Sequence, residues 1–111
     1  MGKTNRPDEA GPDRGAETVL ERKPKTKKPR LFRVILHNDD YSTMEFVTWI
    51  LQKIFRKSES EATHLMLTIH HKGSGIAGLF TRDIAETKVA QVGDLAKEHG
   101  MPLLCTCEPD E

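Results

Sequence analysis

Apolar and polar positions fall into regular blocks from residue 31 onward and into no pattern before it. Leu31 to His37 (LFRVILH) is short and rich in branched and aromatic residues, which predicts a strand. The turn formers Asn38-Asp39-Asp40 and Tyr41 break it. Ser42-Thr43-Met44-Glu45 reads as a capping box, with the Ser42 hydroxyl accepting from the Glu45 amide and Glu45 reaching back. The helix that follows has apolar residues at 46, 47, 50, 51, 54 and 55, one buried helical face, and is expected to end near Arg56-Lys57. A second capping box spans Ser58 to Glu61, and Ala62, Leu65, Met66 and Ile69 make the next buried stripe. Gly73 is the expected left-handed terminator. Ile76 to Phe80 predicts a second strand. Thr81 is the expected cap of a third helix, in which Ala85, Val89, Val92 and Ala96 share a face and Gly100 ends the run. Met101 to Cys107 closes as a strand with Pro102 near its start. The order strand-helix-helix-strand-helix-strand predicts an α+β domain: a small three-stranded antiparallel sheet covered on one face by three helices.

The segment before this pattern adds a tail. Met1 to Pro29 carries few apolar side chains, four prolines, and eight Lys or Arg against five Asp or Glu. Such a stretch buries too little apolar surface to offset the entropy of ordering it, so it is expected to be disordered. It ends in the basic run Lys23 to Arg30, which reads as a solvated linker because no apolar face accompanies the charge. In 111 residues there is room for one small domain. The net charge is zero, which argues against general nucleic-acid binding. No apolar run reaches the roughly 18 residues of a membrane span, and the N-terminus lacks a secretory pattern, so a cytoplasmic protein is expected. Cys105 and Cys107 stand two apart on one expected strand, poor geometry for a disulfide and too few ligands for zinc, and are expected to be reduced.

Three features carry possible chemistry. Asn38-Asp39-Asp40 lies between a strand and a helix, and by residue type alone it is an ordinary turn. His70-His71 stands near the end of the second helix. Met44, Val47, Met66 and Ile69 lie at helical spacing, as core residues do. A metal-dependent hydrolase using Asp39, Asp40, His70 and His71 can be assembled from these parts. No H-E-x-x-H, phosphate loop or nucleophile elbow supports it, so no catalytic residue, cofactor or metal is expected.

Longer stretches are more specific. Val34 to Val47 (VILHNDDYSTMEFV), Leu65 to His70, Gly78 to Phe80, Ala85 to Val89 and Pro102 to Thr106 closely resemble the ClpS family, the adaptors of the N-degron pathway. The resemblance covers about Arg30 to Glu108 and does not extend clearly into the tail. It implies a fold similar to the C-terminal domain of the ribosomal stalk protein. It also implies a monomeric adaptor, without catalysis, that binds proteins whose first residue is Leu, Phe, Tyr or Trp and delivers them to the ClpA unfoldase of the ClpAP protease.

By position, the resemblance makes Asn38, Asp40 and His70 the groups that hold the substrate α-amine, with Asp39 beside them and acting more by charge. It places Leu36, Ser42, Met44, Val47, Met66, Ile69 and Leu103 around the first side chain, with Met44 as gatekeeper against β-branched residues. It makes Asp83, Glu86, Thr87 and Lys88 the ClpA-contacting region. Two positions depart from the family pattern: Ser42 where threonine is common, and Thr43 where proline is common. A protonated amine has three donors and no acceptor, so its site needs converging acceptors: an amide oxygen, a carboxylate, a neutral ring nitrogen. A histidine accepts only when neutral. Affinity for a Leu-starting peptide is therefore expected to fall as pH is lowered from about 7.5 to about 5.5, measured by fluorescence anisotropy.

Overall fold

The computed structural model describes residues 29–111. The expected disordered tail up to Lys28, with the Lys23–Lys28 part of the basic run, lies outside the described residues. The elements are β1 (Leu31–His37), α1 (Met44–Lys53), α2 (Glu59–Lys72), β2 (Ser74–Thr81), α3 (Arg82–Glu98) and β3 (Leu104–Pro109), in the expected order. The three strands form one antiparallel sheet in the order β2-β1-β3, so the first strand is central.

Alternation along β1 sets the two sides of the sheet. Val34 and Leu36 are fully buried, whereas Arg33, Ile35 and His37 between and beside them are partly exposed. The buried side packs against Phe46, Ile50 and Leu51 of α1, Ala62, Met66 and Ile69 of α2, and Ala85, Val92 and Ala96 of α3 in a single core. Leu65 and Val89 of the expected stripes are only half-buried, at the edge of that core. On β2 the register slips opposite Val34 and Ile35, and the extra residue, Ala77, is buried.

Helix ends depart from expectation in instructive ways. Thr43, not Ser42, is the N-cap of α1: its hydroxyl accepts from the Phe46 amide at 3.0 Å. The Ser42–Glu45 capping box therefore does not form, because the preceding turn already engages the Ser42 amide. Regular helix stops at Lys53, short of Arg56-Lys57. The chain then turns through Arg56 in the left-handed region (φ 57°), and the Lys57 amide donates back to the Leu51 carbonyl at 3.1 Å. The second capping box does form, with Ser58 accepting from the Glu61 amide and Glu61 from the Ser58 amide. Thr81 is the N-cap of α3 by position, but its side chain makes no capping bond.

The strands also shift. β2 is longer than the expected 76–80, and β3 starts at Leu104 rather than Met101 because Pro102 and Leu103 precede the first ladder pair, His37 with Leu104. Cys105 and Cys107 are free. Burial, reinforced by Cys107, pushes the Cys105 thiol up to about 12, so it stays protonated and inert.

Two glycines fix how α2 joins β2. Gly73 terminates α2 at φ 94°, a conformation that costs an L-residue roughly 1–2 kcal/mol. Two residues on, a Cβ at Gly75 would stand 2.8 Å from Ile69 Cγ1, so only glycine lets the strand pass this close to α2. Gly73→Ala is expected to lower stability by about 1 kcal/mol, or roughly 4–8 °C in Tm by circular dichroism.

Candidate functional site

The turn after β1 is held from two sides. The Asn38 amide donates to the Gly73 carbonyl at 2.9 Å, tying the end of β1 to the end of α2. Asp39 then organises the next residues: its Oδ1 accepts from the amides of Tyr41 at 2.8 Å and Ser42 at 2.6 Å. Burial acts to raise the Asp39 pKa, but the hydrogen bonds from the Ser42 and Tyr41 amides outweigh it and hold the carboxyl below its ordinary value. Asp39 Oδ2 and Ser42 Oγ are both enclosed and have no hydrogen-bond partner in the protein.

This turn forms one wall of a cleft of about 410 Å³. Residues Asn38 to Thr43 line it from the loop, Met44 and Val47 from α1, and Met66, Ile69 and His70 from α2. Asn38, Asp40 and His70 are exposed, and Val47, Met66 and Ile69 are buried by their neighbours. Met44 is 49 % exposed at the rim, a flexible side chain free to adjust to what enters. The cleft thus combines acceptors suited to a cation with a lining suited to an apolar group.

The structure brings together Asn38, Asp39, Asp40, His70, Ser42, Met44, Val47, Met66 and Ile69 of the expected site. It does not bring Leu36 and Leu103 to the cleft wall: Leu36 is fully buried on the inner side of the sheet and Leu103 is 6 % exposed in the core. Two lining residues were missed. Tyr41, 79 % exposed, and Thr43 belong to the same loop, and their position between Asp40 and Met44 was the available signal.

The expected alternative, a metal held by Asp39, Asp40, His70 and His71, is not assembled. Among the described residues no three His, Cys, Asp or Glu side chains converge on a metal-sized site. Asp39 Oδ1 is already engaged by two amides, and the exposed His71, its ring 5.3 Å from that of His70, does not line the cleft. Among the described residues no helix is long and apolar enough to cross a membrane.

A one-sheet α+β domain with a cleft that is polar along a loop and apolar along two helices defines a small binding module. The chain belongs to the family of the ATP-dependent Clp protease adaptor protein ClpS, whose model matches residues 27–106. An ATP-dependent Clp protease adapter protein ClpS of Caulobacter sp. (strain K31) is 52 % identical over 96 residues, 86 % of this chain and 88 % of that one. The one of Deinococcus radiodurans is 54 % identical over 96 residues, 86 % of this chain and 84 % of that one. The solved structure of Agrobacterium tumefaciens ClpS2 bound to L-phenylalaninamide superposes with a TM-score of 0.72 at 47 % identity, covering 75 % of this chain and all of that one.

The expected unfoldase-contacting residues lie on the first turns of α3 and do not line the cleft. Asp83, Glu86 and Thr87 are exposed; Glu86 pairs with Arg82 at 3.2 Å, and the Thr87 hydroxyl donates to the Asp83 carbonyl. Lys88 differs. Its Nζ donates to the Ile54 carbonyl at 2.7 Å, at the negative end of α1, and lies 5.6 Å from the centre of the Phe80 ring. Lys88 therefore fastens α3 to the end of α1. Lys88→Met keeps the stem but orphans that carbonyl, and is expected to cost about 1–2 kcal/mol, visible as a lowered urea midpoint with unchanged slope.

Proposed function

We propose that this protein binds proteins whose first residue is bulky and apolar (Leu, Phe, Tyr or Trp) and delivers them to the ClpA unfoldase of the ClpAP protease. One observation carries the reading: Asn38, Asp40 and His70 share a cleft with Met44, Val47, Met66 and Ile69. A first residue presents the matching pair of features, a cationic α-amine and an apolar side chain one carbon apart. The Agrobacterium relative holds L-phenylalaninamide, a molecule with that amine and that kind of side chain.

On this reading Asn38 Oδ1, the Asp40 carboxylate and a neutral His70 nitrogen accept from the amine. Charge-assisted bonds of this kind contribute about 1.5–3 kcal/mol each, and burying a Leu or Phe side chain about 1.5–3 kcal/mol. Association itself costs about 4 kcal/mol or more, so neither half of the ligand binds well alone. This is the physical basis of selecting a chain end: an internal Leu or Phe offers the side chain but no amine.

The unfoldase contact falls to Asp83, Glu86 and Thr87 at the exposed start of α3, with Lys88 contributing through the placement of that helix. Residues 30–108 form the adaptor core, the preceding segment serves delivery, and the protein acts in the cytoplasm as a monomer.

The decisive experiment is peptide binding with a free or an acetylated first residue. Acetylation removes the charge and two of the three N–H donors, so affinity for a Leu- or Phe-starting peptide is expected to fall at least a hundredfold, about 2.7 kcal/mol or more. Equal affinity for the two forms overturns the reading. Met44→Ala is expected to enlarge the cleft and admit Ile- or Val-starting peptides, with the ratio of Val to Leu affinity rising at least fivefold in the same assay.

A further inference from the structure

Asp39 sits in the middle of the amine-facing loop, yet neither of its oxygens is open to a ligand. Oδ1 accepts from two backbone amides, those of Tyr41 and Ser42. Oδ2 is enclosed, out of reach of solvent and hence of anything entering the cleft. A group so placed cannot be one of the amine's acceptors without dismantling the turn. What it does instead is fix three consecutive peptide units, 39–42, between the two residues that do face the cleft, Asn38 and Asp40, and the helix start at Thr43. Asn38 is anchored separately through its own amide to Gly73.

We propose that Asp39 is a positioning residue: it shapes the loop so that Asn38 and Asp40 converge, and its carboxylate contributes through that turn rather than through contact with the amine. This rests on the amine-capture reading above. The essential element is the Oδ1 acceptor, which an asparagine side chain also has. In Asp39→Asn the new amide nitrogen takes the enclosed place of Oδ2, and the Ser42 hydroxyl, which has no partner of its own, is the acceptor at hand. The amine site at the exposed Asn38 and Asp40 faces solvent, and at that high effective dielectric the lost charge is expected to change affinity only a few-fold.

The test uses full-length protein and two probes, L-phenylalaninamide and its des-amino analogue 3-phenylpropanamide, titrated calorimetrically. Wild type is expected to prefer the amine-bearing probe strongly; if it does not, the amine-capture reading fails and the role of Asp39 with it. Given that preference, Asp39→Asn is expected to bind L-phenylalaninamide within about fivefold of wild type. Asp39→Ala is expected to lose at least twentyfold, while its weak affinity for the des-amino probe stays unchanged. A loss of global structure would lower both probes together, so this split separates positioning from stability. If Asp39→Asn falls as far as Asp39→Ala, the carboxylate itself is required and the proposal is overturned. If Asp39→Ala binds like wild type, the turn does not need Asp39 and the proposal is likewise overturned. Should Asp39→Ala fail to fold, Asp39→Asn alone decides: near-wild-type affinity upholds the proposal and collapse ends it.

Discussion

The hydrogen bond from the Asn38 amide to the Gly73 carbonyl, 2.9 Å long, joins the end of the central strand to the end of α2. Everything in the cleft depends on that closure. On one side of it begins the loop that carries Asn38, Asp39 and Asp40; on the other, the last turn of α2 carries Ile69 and His70. The closure in turn requires Gly73 in a left-handed conformation, and Gly75 so that β2 can run close beneath Ile69. Two glycines with no functional chemistry thus bring residues thirty positions apart to one site.

The cleft is a compromise between two solvents. Val47, Met66 and Ile69 belong to the buried core and are held by it, while the loop beside them must keep polar groups turned outward. A loop with such a load would ordinarily be mobile. Here the Asp39 side chain ties down the amides of Tyr41 and Ser42, and Thr43 caps α1 directly afterwards. Rigidity in the loop lowers the ordering cost of binding, which matters when the ligand is as small as one residue. Membership of the ClpS family makes this domain an adaptor of the ATP-dependent Clp protease, and on the proposed function the rigid loop serves to recognise a chain end.

α3 plays a different part. Its buried stripe of Ala85, Val92 and Ala96 lies against the sheet, and Lys88 reaches the end of α1. The small residues allow close packing, and the lysine holds α1 and α3 in a fixed relation. A surface at the start of α3 is thereby mechanically connected to the helix that carries Met44 and Val47, through ordinary packing and one charge-assisted bond.

Element order, the Ser58 capping box, the Gly73 terminator and the main buried stripes were legible in the sequence, because each rests on contacts within a few residues. Residue chemistry alone read Asn38-Asp39-Asp40 as a turn, and the longer motif supplied the binding role. Other features were decided only by tertiary structure. The α1 cap moved from Ser42 to Thr43 because the Ser42 amide is bound by Asp39. β3 begins at Leu104 because its ladder is set by His37 on the central strand. Leu36 and Leu103 withdrew into the core because burial depends on what lies across the sheet. Lys88 became a clamp because the end of α1 happens to face it. The sequence by itself determined which segments are helix and strand and which residues carry acceptors. Only the folded chain decided which of those acceptors face the cleft and which hold the loop, because that depends on long-range partners no local pattern encodes.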